Sequence, residues 1–106
     1  MRKLTLKREK SFVASIMKAY IYLQSNSGEL DLGYARATQV GVLKNSEELT
    51  LEIPNEGVYL FVVFDKLLPK KYNTSFWVPE GKDDIALFTK AKFNPFKGNP
   101  FMIYQK

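Results

Sequence analysis

Apolar residues recur at every second position along much of this chain. In residues 48–53, leucine or isoleucine stands at positions 49, 51 and 53, and a polar residue stands at each position between them. This period places the apolar side chains on one face of a β-strand and the polar side chains on the other. Further short apolar segments follow, separated by turn signals rich in proline, glycine and asparagine. We therefore predict an all-β fold, an immunoglobulin-like β-sandwich of about seven to eight short antiparallel strands.

Residues 11–23 fit two patterns. Phe12, Ile16, Ala19 and Leu23 have helical spacing, and a helix here would make the domain a two-layer α+β structure. From Ala19 onward, small or aliphatic residues alternate with tyrosine, and tyrosine and isoleucine favour a pleated surface. The alternation favours a strand, and the helix is the main alternative.

Local signals also predict turns and a central strand. Residues 45–47, Asn-Ser-Glu, predict a hairpin turn in which serine stands where a type I′ turn prefers glycine. Pro54 to Gly57 predicts a second turn, and residues 29–37 predict a loop. The segment from Val58 to Phe64 is apolar on both faces. Such a run is typical of a central strand whose second face is covered or is an interaction surface.

The composition removes most of the usual catalytic and metal chemistry. The chain has no histidine and no cysteine, so it lacks the commonest general base, the thiol nucleophile and the usual zinc ligands. Asp83 and Asp84 are adjacent, but they lie in a predicted turn and are expected to face solvent. Neither a glycine-rich phosphate loop nor a nucleophile elbow occurs. We therefore predict that the protein is not an enzyme and has no catalytic residue, cofactor or metal site.

Length and composition favour one domain, residues 1–106, held together by packing alone. The chain begins with charged, alternating residues instead of the apolar region of a secretory signal, and its longest apolar run is far too short to span a membrane. We expect a cytoplasmic protein with no membrane partner. Residues 91–106 are a candidate aromatic tail, because Asn94-Pro95-Phe96 recurs there as Asn99-Pro100-Phe101.

Five segments in the first two thirds of the chain occur in this order: Leu4-Thr5-Leu6-Lys7-Arg8, Ser11-Phe12-Val13, Ala19-Tyr20-Ile21-Tyr22-Leu23, Val42-Leu43-Lys44-Asn45-Ser46-Glu47 and Leu51-Glu52-Ile53-Pro54-Asn55-Glu56-Gly57. This order resembles that of small, mostly uncharacterised bacterial β-sandwich domains. The chain departs from them at Ser46, where glycine is usual, and in the long segment from Ser25 to Gln39, where a tight turn is usual. The resemblance implies a sandwich and no activity.

Two groups of residues are candidates for binding. The first would contact a protein partner or a second copy of the chain, and it combines an aromatic residue on a strand with the aromatic tail: Trp77, Phe96, Phe101 and Tyr104. The second would contact a polyanion through the cations at the start of the chain: Arg2, Lys3, Lys7 and Arg8.

Three functions follow from these groups. The first is a non-enzymatic module that binds a protein partner or itself, through a sheet edge or the tail. The second is a nucleic-acid or polyanion binder, which would carry cations and exposed aromatic residues on the same face. The third is a carbohydrate-binding sandwich in which Trp77 and tyrosines stack on sugars. A shared face of cations and aromatic residues favours the second function, and separate faces favour the first.

Overall fold

The computed structural model describes residues 1–64, 67, 69, 72–92 and 100–106. Nine strands and no helix occur in these residues. The strands are β1 Arg2–Arg8, β2 Ala19–Gln24, β3 Leu30–Asp31, β4 Arg36–Leu43, β5 Glu48–Ile53, β6 Val58–Val63, β7 Asn73–Val78, β8 Ile85–Ala91 and β9 Phe101–Tyr104.

The strands form two packed sheets, which confirms the all-β sandwich. One sheet, called sheet A, has the order β5-β1-β8-β9, and the other, called sheet B, has the order β3-β4-β2-β6-β7. Two details differ from the expectation. The described residues form nine strands instead of seven or eight. In addition, β1 and β8 run parallel, with Leu4 opposite Ile85 and Arg8 opposite Thr89, whereas every other pair is antiparallel.

The core lies between the two sheets and follows the alternation seen in the sequence. Leu4 and Leu6 of β1 are fully buried, and Lys3 and Lys7 beside them face outward. In β5, the residue at each odd position packs inward and the polar residues are exposed. Burial of such side chains contributes about 1.5 to 3 kcal/mol each. The buried members of this core are Leu4, Leu6, Ala19, Ile21, Leu43, Ile53, Val58, Leu60, Val62, Val78, Leu87, Ala91 and Phe101.

The turn at residues 44–47 is present, but it does not form the predicted hairpin. The Glu47 amide donates to the Lys44 carbonyl oxygen at 3.1 Å, and Ser46 has a positive φ of 71°. However, β4 pairs with β2 and β3, whereas β5 pairs with β1. The turn therefore passes from sheet B to sheet A. The prediction was wrong because local turn chemistry is the same whether the two strands pair with each other or with distant strands.

Residues 11–18 form turns, and the strand predicted for the second half of the ambiguous stretch begins at Ala19. Ala14 has a positive φ of 53°, which a helix does not allow. Val13 and Ala14 pack against the core, while Phe12 and Ile16 are almost fully exposed. The helical spacing of Phe12 and Ile16 therefore marks a turn that projects apolar side chains into solvent.

The second face of β6 is covered, as one of the two expectations for this strand required. Phe61 and Val63 face away from the sandwich core and are fully buried. They pack with Tyr22 and with Leu32, which lies in the segment that connects β3 to β4. This segment, residues 32–35, folds over the outer face of sheet B and forms a second, smaller core.

The part of the predicted aromatic tail that is described belongs to sheet A. Strand β9 pairs with β8, and Phe101 is 3% exposed within the core. The Thr74 hydroxyl of β7 donates to the Phe101 carbonyl oxygen at 2.7 Å and so ties the tail to sheet B. Phe96 lies outside the described residues. The described part of the candidate aromatic tail, residues 101–104, is therefore a strand of the sandwich.

Candidate functional site

An aromatic cluster lies on the outer face of sheet B, and we call it the aromatic surface: Tyr34, Tyr59, Phe61 and Trp77. Tyr59 and Trp77 are cross-strand partners on β6 and β7, with ring centroids 4.8 Å apart. Tyr34 lies 5.8 Å from Tyr59 and 6.3 Å from Phe61, measured between ring centroids. Tyr34 is 61% exposed and Trp77 is 50% exposed, whereas Phe61 is buried. The surface thus has a buried base and two exposed rings.

Two features of the sequence determine the position of the Trp77 side chain. In β7, Phe76 and Val78 turn toward the sandwich interior, so Trp77 must point outward. Its indole then packs on the backbone of Gly57, where a Cβ atom would approach indole Cη2 to 2.8 Å. The glycine of the turn from Pro54 to Gly57 therefore has a second role, because any larger residue there would move the indole.

Tyr34 is held by the covering segment of sheet B. The Leu32 amide donates to the Ala35 carbonyl oxygen at 2.9 Å, and the Gly33 amide donates to Asp31 Oδ1 at 2.8 Å. A polar cavity of about 270 Å³ lies beside this turn. It is lined by Gln24, Asn26, Asp31, Gly33, Tyr34, Ala35 and Arg36.

Tyr22 lies under the covering segment, and its environment predicts a dependence of stability on pH. Burial raises the pKa of the Tyr22 phenol, and Glu29 and Tyr20 raise it further. When the pH rises past about 10, the ordinary value for tyrosine, the unfolded chain releases this proton before the folded chain does. Stability from this group is therefore complete below that pH and is lost above it.

We expect the free energy of unfolding of the Tyr22→Phe variant to fall less steeply above pH ~10 than that of the original protein. Urea denaturation at a series of alkaline pH values measures both slopes. All other ionisable groups are the same in the two proteins, so their contributions cancel in the comparison. Equal slopes would contradict the assignment of a raised pKa to Tyr22.

The four N-terminal cations do not form one site. Arg2 and Arg8 share a face with Leu4 and Leu6, and they are 6% and 1% exposed. The Arg2 guanidinium donates to the carbonyl oxygens of Pro54, Glu56 and Pro79. These contacts tie the two turns at one end of the sandwich to β1. The prediction of a polyanion site that includes Arg2 is therefore wrong, because its guanidinium is occupied inside the protein.

Arg8 has the equivalent position at the other end of β1. Its guanidinium donates to the carbonyl oxygens of Met17, Leu43 and Ala14, at 2.6, 2.8 and 2.9 Å. The guanidinium carbon also lies 4.8 Å above the centre of the Phe101 ring. Burial lowers the pKa of this group, and Glu47 opposes that effect. Arg8 is thus a structural residue and is also removed from the predicted polyanion site.

Lys3 and Lys7 are exposed, but acidic residues lie beside them. Lys3 stands opposite Glu52 and Lys7 stands opposite Glu48 in the register of β1 and β5. Opposite charges at directly opposed positions attract each other and reduce the positive potential of the face. Two lysines remain of the four predicted polyanion-binding residues, and each has a carboxylate as its cross-strand neighbour.

The predicted partner-binding residues are likewise separated. Trp77 lies on the outer face of sheet B, whereas Tyr104 lies on sheet A, with its ring 6.0 Å from that of Phe88. Phe101 is buried between the sheets. The sequence identified Trp77 as a candidate, with tyrosines as its possible partners, but gave no indication that Tyr34 is one of them. Tyr34 lies in a connection without periodicity, so no local signal indicates that it reaches Tyr59.

Comparison of the chain with models of protein families, with curated proteins and with solved structures finds no match. Within the described ranges, no group of three or more acidic side chains is placed to hold a metal ion. The same residues include no helix long and apolar enough to cross a membrane. The interpretation of this site therefore rests on its geometry.

Proposed function

We propose that the protein is a cytoplasmic, non-enzymatic binding module that takes an extended segment of a partner protein along strand β7. In this proposal, Trp77 and Tyr59 contact alternate side chains of the partner segment. The main support is that the exposed rings of the aromatic surface, Tyr34 and Trp77, lie on the outer face of sheet B, whereas Lys3 and Lys7 face outward from sheet A. This separation favours a protein partner over a nucleic acid, which would need cations beside the rings.

The charges near the aromatic surface are balanced. Asp31 and Arg36 form an ion pair at 3.7 Å beside Tyr34. Lys3 and Lys7 face outward from sheet A, on the opposite side of the sandwich. A neutral surface with exposed aromatic rings is typical of the centre of a protein interface, where charged residues are depleted.

Strand β7 adds a way to bind a peptide backbone. Among the strands of the described residues it is the last of sheet B, with β6 as its hydrogen-bonded neighbour, and its first residues also contact β9 through Thr74. The part of the edge considered for a partner segment is Ser75 to Val78. An edge of this kind accepts an added strand through main-chain hydrogen bonds, while side-chain contacts give specificity. Ser75 and Trp77 are exposed on the same face of β7. The small serine leaves room for a partner side chain next to the indole.

The geometry of the rings argues against a flat platform for sugars. The planes of Tyr59 and Trp77 meet at 64°, and those of Tyr34 and Tyr59 meet at 77°. Edge-to-face rings form an irregular surface with small clefts. Side chains of a peptide fit such a surface better than the broad face of a sugar ring.

The test uses Trp77 as its own reporter, because the chain has one tryptophan. Extended peptides are selected from a displayed library. Trp77 emission follows their binding to the original protein, and calorimetry measures binding to every variant, including the one without tryptophan. We expect Trp77→Ala to weaken binding at least about thirtyfold, as loss of an aromatic anchor costs 2 kcal/mol or more. Gly57→Ala moves the indole without removing it, so we expect a smaller loss. Tyr104→Ala, on sheet A, is the matched control and leaves affinity unchanged.

Two further measurements separate the alternatives. Methylating alternate backbone nitrogens of a selected peptide abolishes binding if the peptide pairs with β7. Titration with a single-stranded oligonucleotide tests nucleic-acid binding. That function predicts a change in Trp77 emission that disappears at high salt. Selected peptides that bind Trp77→Ala as tightly as the original protein would refute the proposal.

A further inference from the structure

Four connections meet at one end of the sandwich, and we call it the basic end. They are the connections β1–β2, β4–β5, β6–β7 and β8–β9. Strands β1, β4, β6 and β8 end here, and strands β2, β5, β7 and β9 begin here. The register shows this, because residues at or next to these strand ends lie opposite each other: Arg8 and Thr89, Lys7 and Glu48, Ala19 and Leu43, Tyr20 and Val63, Val63 and Asn73, and Ala91 and Phe101.

The described residues of these connections have an excess of lysine. They contain four lysines and two acidic residues: Lys10, Lys18, Lys44 and Lys92, with Glu9 and Glu47. The other described residues contain eight cationic and eight acidic side chains, which balance to zero. The excess positive charge of the described residues therefore lies at this end of the sandwich.

The most exposed large apolar side chains of the described residues are at the same end. Phe12 is 96% exposed, Ile16 is 92% exposed, and Leu67 of the β6–β7 connection is 89% exposed. Isolated exposed apolar residues need no explanation, but Phe12 and Ile16 share the β1–β2 connection with Lys10 and Lys18. Two independent features, charge and apolar exposure, thus coincide.

The β1–β2 connection presents Phe12 and Ile16 outward in a defined way. The Arg8 guanidinium binds the carbonyl oxygens of Ala14 and Met17. Ser11 is fixed to Asn45, because its amide donates to Asn45 Oδ1 at 3.1 Å. With the base of the connection fixed, Phe12 and Ile16 project from its tip. A groove of about 520 Å³ lies beside Phe12 and is also lined by Lys10, Ser11, Ser15 and Asn45.

We propose that the basic end docks on the surface of an anionic lipid bilayer. Phe12 and Ile16 enter the boundary between headgroups and acyl chains, and Lys10, Lys18 and Lys44 lie among the lipid phosphates. Charge complementarity selects this occupant, because each lysine near an anionic membrane surface adds attraction that falls off within a Debye length. Separate projecting side chains also suit a bilayer, which closes around each of them. The expectation of no membrane partner came from the lack of a spanning segment, which surface docking does not need.

The test is flotation of the full chain with lipid vesicles. We expect binding to vesicles of equal parts phosphatidylcholine and phosphatidylserine, none to phosphatidylcholine alone, and release at high salt. The double variant Phe12→Ser with Ile16→Ser should bind about a hundredfold more weakly, given the burial energy of the two side chains. Lys10→Gln with Lys18→Gln should bind at least about tenfold more weakly.

Matched controls change the same chemistry at other places. Tyr34→Ser removes an exposed ring from the aromatic surface, and Lys3→Gln with Lys82→Gln removes two charges outside the basic end. Both should bind vesicles as the original protein does, with circular dichroism confirming that every variant is folded. A second reporter is Phe12→Trp in a Trp77→Phe background, whose emission should shift to the blue with anionic vesicles.

Three results of the vesicle experiments would overturn the proposal. They are absence of binding to anionic vesicles, equal losses in the control variants, and binding that is unaffected when Phe12 and Ile16 become serine. A change in solution mass caused by the Phe12 and Ile16 substitutions without lipid would also overturn it, in favour of a second copy of the chain.

Discussion

Substitution of Arg8 by methionine is expected to lower the free energy of unfolding by about 3 to 5 kcal/mol. Methionine fills much of the volume of arginine but donates no hydrogen bond. The carbonyl oxygens of Ala14, Met17 and Leu43 would lose their shared partner. The Ala14 oxygen still accepts from the Met17 amide at 3.0 Å, so the loss falls mainly on the Met17 and Leu43 oxygens. These acceptors belong to the backbone and no substitution removes them, and burial of such a group without a partner costs about 1 to 3 kcal/mol.

The position of Arg8 adds to this effect. It joins the β1–β2 connection to the end of β4, and its guanidinium stacks on Phe101 of β9. One side chain therefore connects elements that the sequence separates by more than ninety positions. Its loss should loosen the base of the β1–β2 connection, so that Phe12 and Ile16 are no longer presented in a fixed way.

Urea denaturation followed by circular dichroism measures the Arg8→Met effect. Lys7→Met is the matched control, because Lys7 is the neighbouring residue on the exposed face of the same strand, and we expect a change within about 0.5 kcal/mol. Arg8→Lys keeps a charge but cannot reach three carbonyl oxygens, so it should fall between the two. A loss below about 1 kcal/mol for Arg8→Met would mean that water replaces the guanidinium.

The strands were predictable where one face is buried and the other is wet. In β1 and β5 the alternation alone identifies the strand and its inner face. The same alternation places Arg2 and Arg8 on the inner face with Leu4 and Leu6, whereas residue type alone predicts that cations are exposed. Both arginines are buried because backbone carbonyl oxygens at the two ends of β1 accept hydrogen bonds from their guanidinium groups. Such acceptors allow a cation to occupy the inner face that periodicity predicts.

Pairing between sheets was not predictable from local signals. The residues from Lys44 to Glu47 make a good turn, yet β5 leaves it to pair with β1 instead of β4. That choice depends on contacts between residues more than forty positions apart, which a short window does not include. The aromatic surface also depends on contacts between residues distant in sequence, since Tyr34 meets Tyr59 only after residues 32–35 fold over sheet B.

The Gly28→Ala substitution should cost about 2 to 4 kcal/mol, more than usual for overpacking. A Cβ at this buried position would lie 2.6 Å from the Ala37 amide nitrogen and closer still to the Ala37 carbonyl carbon and oxygen. Those atoms belong to the backbone of β4, which pairs with β2 and β3 on its two sides. Strand β4 cannot move away from Gly28 without breaking main-chain hydrogen bonds to β2 or β3. The steric clash is therefore not relieved by a small shift.

Gly33 provides the matched control, because position 33 favours glycine for its backbone conformation and not for lack of space. Its φ is +90°, which side chains disfavour, but a Cβ there meets no atom within 4 Å. We expect Gly33→Ala to cost about 1 kcal/mol from backbone strain alone. Urea denaturation of both variants compares a steric clash with a conformational penalty. A Gly28→Ala loss no larger than that of Gly33→Ala would contradict the close approach to Ala37.

The two glycine variants also separate stability from the shape of the aromatic surface. Gly28 lies before β3, and it helps to hold the covering segment because its carbonyl oxygen accepts a hydrogen bond of 2.9 Å from Arg36 Nε, just after that segment, while its amide donates to the Ser25 carbonyl oxygen. If Gly28→Ala lifts this segment, the Leu32 amide should exchange with solvent faster, since its bond to Ala35 belongs to the same segment. Peptide binding should weaken with it, because Tyr34 would leave Tyr59 while Trp77 keeps its place on Gly57. Retained binding with fast exchange would show that Trp77 and β7 suffice for recognition.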